Sequence, residues 1–209
     1  MTGERASARC DGGRRNRPRT MPTFGPVLEV ARLMRGFPRP WYIAGGWAID
    51  LFLGHETRAH DDIDIAILRK DQAELRSHLA TWAFEKVVDG NRVPWAEGER
   101  LDPPVHEVHA TSATQAPIEF LFNESSGATW RFRRNPVITR SLDHIGMQTS
   151  AGVPFLVPEI VLLFKAKGPG PKDAHDFDLV QVRLSAGPRR WLKNALETCH
   201  SGHPWIDRL

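Results

Sequence analysis

Residues 62–68 read Asp-Ile-Asp-Ile-Ala-Ile-Leu, and this short run constrains the chain more than any other stretch. Period-two alternation with β-branched residues marks a strand, with Ile63 and Ile65 filling one face. Asp62 and Asp64, two residues apart, share the opposite face and form a carboxylate shelf. Such groups repel each other unless a positive charge stands between them. A hard divalent cation with oxygen preference is the usual solution, and Mg²⁺ is the natural choice. An acidic pair of this kind also occurs at solvated strand ends, so its neighbours decide its meaning.

The decisive neighbour lies just upstream. "WYIA" (41–44) is a short apolar strand, and "GWAIDLFLG" (46–54) is a helix closed by Gly54. Gly45 and Gly46 therefore fall where a strand ends and a helix begins. Free backbone N–H groups at a helix start bind phosphate when no Cβ blocks the approach. A phosphate cradle beside a metal shelf implies one ligand, a nucleoside triphosphate held with Mg²⁺.

The rest of the chain supplies the frame. Apolar positions between Phe24 and Phe37 keep a helical period, stopped by Pro38 and Pro40. "DQAELRSHLATWAF" (71–84) reads as a helix opened by an Asp cap. "FEKVV", "VHEVHA", "IEFLF", "WRFRR" and "HIGMQT" read as strands between turns rich in Pro, Gly, Asn and Asp. From Pro158 onward three helices follow, "PEIVLLFKAKG", "PKDAHDFDLVQVRLS" and "PRRWLKNALETC", the first two opened by proline followed by an acidic or basic helix-former. The expected organisation is a tail over residues 1–20, a mixed α/β unit over 21–150 and a small C-terminal helical region over 151–209.

Composition narrows the setting. With 41% apolar residues in 209 the chain can bury a real core. The net charge of +3 belongs to the tail, which holds six arginines against Glu4 and Asp11. That segment cannot bury enough surface to offset its ordering entropy, so disorder is expected there. Met21, directly after it, offers a second start, which makes the tail an extension; a nucleic-acid-binding arm is the competing reading. The near-neutral remainder gives no basic surface for nucleic acid. No stretch reaches the roughly 18 apolar residues of a membrane span. Cys10 and Cys199 are the only cysteines, so neither a disulfide framework nor a thiolate metal site is available, and a reducing cytoplasm fits. Nothing in the sequence addresses the oligomeric state.

The motif "IAGG…DDIDIAI" resembles the signature of the nucleotidyltransferase superfamily to which DNA polymerase beta belongs. More narrowly, "GGWAIDLFLG", "TRAHDDIDI" and "VPEIVLLFKAKGPGPKDAHDF" resemble the aminoglycoside and lincosamide nucleotidyltransferases, over roughly residues 24–185. The resemblance implies an α/β (α+β) nucleotidyltransferase fold, a mixed sheet flanked by helices. It further implies that Asp62 and Asp64 hold Mg²⁺, that Gly45 and Gly46 cradle the triphosphate, and that a third carboxylate completes the metal site. Two metals about 3.5–4 Å apart can clamp the attacking and leaving oxygens of an in-line displacement at the α-phosphate. Glu119, which interrupts the apolar strand "IEFLF", is the expected third carboxylate, with Glu107 in "VHEVHA" its competitor. Family members often carry Asp there, and the longer Glu has to bend to reach the same metal.

Other residues carry paired readings. Arg58 and His60 either touch phosphates or restrain the aspartates, with Asp50 or Asp61 as structural partners for Arg58. Asp61 faces away from Asp62 and reads as a turn or cap partner. Lys165, Lys167 and Lys172 either close over the triphosphate, as lysines of related enzymes do, or lie on solvated helix faces; Lys167 and Lys172 are the preferred pair. His106 and His109 have the wrong spacing for a helical zinc motif and are expected at ordinary surface positions. Trp41 and Trp47 fit core packing better than stacking on adenine.

The reaction expected is transfer of AMP from ATP to a hydroxyl of a small-molecule acceptor. An aminoglycoside, a polycation, calls for an acidic cleft, to which Asp102, Glu107, Glu124 and Asp143 could contribute; a lincosamide calls for a more apolar wall. Three alternatives stand beside this reading. The His60-Asp61 and His175-Asp176 pairs spell the His-Asp motif of metal-dependent phosphohydrolases. A catalytically silent, antitoxin-like binding protein is the second, and an enzyme acting on a protein or RNA hydroxyl the third.

Overall fold

A computed structural model describes residues 24–209. The tail expected at 1–20 lies outside them. In chain order the elements are α1 (Gly25–Leu33), β1 (Trp41–Ile43), α2 (Gly45–Leu53), β2 (Asp64–Leu68), α3 (Gln72–His78), β3 (Ala83–Val88), β4 (Asn91–Pro94), β5 (Glu107–Thr111), β6 (Ile118–Ser126), β7 (Thr129–Arg131), β8 (Thr139–Ser141), β9 (Gly146–Gln148), β10 (Pro154–Leu156), α4 (Pro158–Lys165), α5 (Pro171–Gln181) and α6 (Ala186–Cys199).

The strands form one mixed sheet in the order β4-β3-β5-β6-β2-β1-β10-β9, with β7 added to β6 and β8 to β7. β2 runs parallel to β6 and β1 parallel to β10, while the other pairs are antiparallel. The isoleucine face of β2 is buried, Ile65 lying level with Ile43 of β1 and Phe120 of β6. By the two-residue repeat, Asp64 and Glu119 look to the other face.

α2 is short and almost wholly apolar, and Trp47, Ala48, Ile49, Asp50 and Leu51 are all buried. Gly54 ends it at φ 80°, its N–H returning to the Asp50 carbonyl. α4 buries every residue from Pro158 to Leu163, packing against α2, α5 and α6. α4 lines the cleft beside Asp64 through Val161, Phe164 and Lys165. Among the described residues no helix is long and apolar enough to cross a membrane.

Three expectations change. The helix expected at 71–84 stops at His78: Trp82 closes a turn onto Leu79, and Ala83 and Phe84 join β3 opposite Thr111 and Ala110. β-sheet partners override helix propensity at that end. Of "WRFRR" only Trp130 and Arg131 lie in β7, so Arg133 and Arg134 fall in the loop before β8. The division expected near residue 150 falls inside the sheet, because β10 pairs with β1 through Phe155 and Ile43, and the run of helices opens at Pro158.

Candidate active site

The parallel register of β2 and β6 sets Asp64 level with Glu119. Asp62, two residues before β2 and exposed, is close enough that its charge acts on both. Burial, followed by repulsion from Asp62 and Glu119, pushes the Asp64 carboxyl up to about 7. Burial raises Glu119 as well; Asp62 and Glu107 add to the rise, and His109 and Arg92 oppose it. Asp64 and Glu119 therefore lie side by side, with the charge of Asp62 reaching both.

β5 adds a residue that the sequence placed elsewhere. His109, expected at the surface, is 3% exposed and lies level with Glu119 across the β5–β6 pair. Its Nδ1 stands 3.2 Å from Glu119 Oε1 and its Nε2 2.8 Å from Glu107 Oε1. Glu107, His109 and Glu119 each offer a ligand atom within 4.8 Å of the others. Each carboxylate engages one ring nitrogen, so the imidazole is held at both edges. The geometry is that of a clamp between carboxylates, and it gives the Glu119 side chain the buried partner its position demands. His106 precedes the strand and is half-buried, its Nδ1 2.9 Å from the Pro104 carbonyl.

The glycine pair is shaped by neighbouring side chains. Gly45 opens α2 at φ 58°, and a Cβ there would overlap Asp64 Oδ2 and stand 3.0 Å from Asp64 Cγ. A Cβ on Gly46 would overlap Arg58 Nη2 and lie 2.6 Å from two His60 ring atoms. The space each glycine leaves on its Cβ side is thus filled by the site itself. What stays available for an anion is the backbone N–H end of α2, whose first donors have no partner one turn back.

A buried polar network fixes the loop between α2 and β2. His60 Nε2 lies 2.6 Å from Asp50 Oδ2, and Thr57 Oγ1 donates to Asp50 Oδ1 at 2.6 Å. Arg58 donates from Nε and Nη2 to Asp176 of α5, each at 3.2 Å, a two-point grip. Its structural partner is thus Asp176, neither Asp50 nor Asp61. Trp47 is buried, stacks near His60 with ring centres 4.3 Å apart, and donates Nε1–H to the Asp62 carbonyl at 3.0 Å. It is a core residue that also holds the backbone of Asp62. Trp41 sits in β1 opposite Ile67.

The lysines separate. Lys165 bridges Asp173 at 2.6 Å and Asp176 at 3.1 Å, lines the cleft beside Asp64 and Gly45, and lowers the Asp64 carboxyl against its other neighbours. Lys167 lies beyond the end of α4, exposed and outside that cleft. Lys172 pairs with Asp61 at 2.7 Å in an exposed bridge, a kind worth little. Helix α4 ends at Lys165, so two further residues place Lys167 off the face that looks into the site.

The cleft itself encloses about 230 Å³ between the Asp64 end of the sheet, Leu121 of β6, Phe164 and Lys165 of α4, and the Arg133–Arg134 loop. A larger groove of about 560 Å³ between α3 and residues 95–100 touches none of the carboxylates, so the smaller cleft is the one joined to the chemistry. The His-Asp pairs of the hydrolase alternative are not assembled. His60 engages Asp50, and on α5 His175 is exposed while Asp176 is buried.

Comparison with known proteins gives the family and the fold. Residues 26–149 match the family described as aminoglycoside-2''-adenylyltransferase. A 2''-aminoglycoside nucleotidyltransferase from Escherichia coli is 50% identical over 38 residues, 18% of this chain and 22% of that protein, and one from Klebsiella pneumoniae matches equally. The match thus spans about a fifth of those relatives' length. Among solved structures, ANT(2'')-Ia in complex with adenylyl-2''-tobramycin has a TM-score of 0.58 at 17% identity, covering 84% of this chain and 98% of that one. The lincosamide antibiotic adenylyltransferase LnuA, lincomycin-bound, has a TM-score of 0.53 at 16% identity, covering 84% and 99%. At that identity the two share the fold, a mixed sheet flanked by helices. With more than half of its length matched by the family pattern, the chain belongs to the aminoglycoside-2''-adenylyltransferase family.

Proposed function

We propose that the protein transfers the nucleoside monophosphate of a triphosphate, AMP from ATP, to a hydroxyl of a small-molecule acceptor, with Mg²⁺ as metal and the cytoplasm as its setting. The observation that carries this reading is the meeting of Asp64 and Glu119 on adjacent parallel strands at the N-terminus of α2, with Asp62 beside them. A nucleotidyltransferase family implies a nucleotide co-substrate and a divalent metal. The donor chemistry fits: Asp64 and Glu119 lie level on adjacent strands, the charge of Asp62 acts on both, and carboxylate oxygens are what a hard cation takes. Asp62, Asp64 and Glu119 would hold the metal, which when bound neutralises charge building on the phosphate oxygens.

The chain's own contributions follow from position. The N–H groups of Gly45 and Gly46 face the polyphosphate from the helix end. Arg58 stays anchored to Asp176 and backs Gly46, so its part is to hold the loop that leads into Asp62. Lys165 brings a cation to the cleft wall and replaces Lys167 and Lys172 as the lysine aimed at the ligand. Glu119, clamped by His109, is the base that takes the acceptor proton. An in-line displacement puts the attacking hydroxyl opposite the leaving pyrophosphate. With pyrophosphate at the α2 end, the acceptor enters from the β6–β5 side.

The test is incubation with α-labelled ATP, Mg²⁺ and a panel of hydroxyl compounds that includes aminoglycosides and lincosamides. Labelled adduct with equimolar pyrophosphate, abolished by Asp64→Asn, is the expected result. Transfer that survives the substitution, or release of free AMP without adduct, overturns it.

A further inference from the structure

Asp176 is wholly buried on α5, yet side chains from two other parts of the fold converge on it. Arg58, in the loop between α2 and β2, donates Nε–H to Oδ1 and Nη2–H to Oδ2, each at 3.2 Å. Lys165, the last residue of α4, places Nζ 3.1 Å from Oδ2. Asp173, three residues earlier and so on the same face of α5, takes Lys165 at 2.6 Å with one oxygen and accepts the Gly170 N–H at 3.0 Å with the other. Among the described residues no other carboxylate lies within ion-pair distance of Arg58. Taking a carboxylate out of water is costly, and stability alone gives little reason to keep one there.

The two cations that share Asp176 meet the start of α2 at consecutive residues. Lys165 lines the cleft together with Gly45 and Asp64. Arg58 Nη2 fills the space where a Cβ on Gly46 would stand. One carboxylate therefore sets the spacing between the cation of the cleft wall and the backbone donors of the helix end. A lysine side chain left to itself samples many rotamers, and ordering it costs affinity when a ligand arrives. Held by Asp173 and Asp176, the Lys165 ammonium is placed beforehand, and that cost is already met. The two-point grip on Arg58 fixes angle as well as distance.

We propose that Asp176 is a positioning residue for the triphosphate: it holds Lys165 and Arg58 as one unit at the start of α2, so that the phosphates of a nucleotide meet a cation and backbone donors already in register. The proposal rests on the transferase reading, which puts the triphosphate at that end of the helix. With no exposed surface, Asp176 reaches the ligand only through its two cations. Its removal is therefore felt by the nucleotide and leaves the acceptor, on the β5–β6 side, largely untouched.

Calorimetric titration with a Mg²⁺-bound, non-hydrolysable ATP analogue tests this without turnover. Asp176→Asn should weaken the analogue about tenfold or more, the scale on which partners that orient a ligand-binding group act. Steady-state label transfer should show KM for ATP raised to match and KM for the acceptor within about threefold of wild type. Combined with Lys165→Met, the loss in analogue affinity should fall short of the product of the two single losses by about fivefold or more, because residues that act as a unit are not additive. A lowered melting temperature with analogue affinity and KM for ATP unchanged marks a purely structural carboxylate and overturns the proposal; so does a double variant whose loss equals the product. Arg58→Lys, which keeps the buried charge and one bond but loses the fork, is the milder variant should Asp176→Asn not fold. It should weaken the analogue about threefold or more, and wild-type affinity overturns the proposal. The predicted binding shifts in a protein that moves label to no acceptor would sink the transferase reading and leave the assignment of Asp176 standing.

Discussion

Gly45 and Asp64 occupy one space: the side chain that Gly45 lacks is where the Asp64 carboxylate stands. The contact joins the start of α2 to the start of β2 and sets the Asp64 carboxylate against the N-terminal end of the helix. Gly45→Ala must clear Asp64 and also adopt φ 58° with a Cβ, which alone costs about 1–2 kcal/mol. We predict a loss of that order in unfolding free energy and a fall in kcat of at least about tenfold, because Asp64 is displaced. A Gly45→Ala variant of native stability and rate would show that the close approach is unimportant.

On the proposed mechanism His109 acts through Glu119, from which its Nδ1 stands 3.2 Å. Outer partners of a metal site typically matter by about 10–100-fold, and His109→Ala should lower kcat by that much with KM for ATP within about threefold. His109→Asn, which keeps one short donor, should recover part of the loss. A change in ATP KM with kcat intact would place His109 outside this role.

Folded Asp64 binds its proton more tightly than unfolded Asp64, whose ordinary value is 3.8. Its contribution to the metal-free protein is therefore greatest at low pH and is lost as pH rises from that value to about 7. Asp64→Asn should stabilise the protein in EDTA at pH 8, by an amount on the order of a few kcal/mol, and leave it nearly unchanged at pH 4. Thermal melts at the two pH values check this. A wild-type protein whose Asp64-dependent stability grows with pH would contradict it.

Much of the site was legible because it rests on short-range rules. The two-residue repeat put Asp62 and Asp64 together, and an acid inside the apolar strand of Ile118 and Phe120 marked Glu119. What the sequence could not supply is strand pairing. His109 reads as an ordinary polar residue until β5 is known to lie beside β6 with His109 opposite Glu119. Asp176 is likewise separated from Arg58 by 118 residues, and only the packing of α5 against α2 brings them together. Which of the three lysines faces the cleft was also not legible, because the end of α4 decides which side chain looks inward, and helix ends are the least legible feature of a periodic pattern.

That difference between lysines is open to direct test. Lys165→Met removes the cation nearest Asp64 and leaves Asp173 without its partner. Transfer should fall at least about tenfold, in line with the loss of a charge that neutralises a phosphate ligand. Lys167→Met should stay within about twofold of wild type, as expected of an exposed residue away from the site. Equal losses in the two variants would return the role to the pair.

On the proposed mechanism Asp62, Asp64 and Glu119 hold the metal. Crystals grown with Mn²⁺ and a non-hydrolysable ATP analogue, measured at the manganese absorption edge, test it most directly. The expected result is an anomalous peak bonded to oxygens of all three carboxylates and to the triphosphate. A peak held instead by Glu107, His109 and Glu119, with Asp62 and Asp64 turned away, would contradict it.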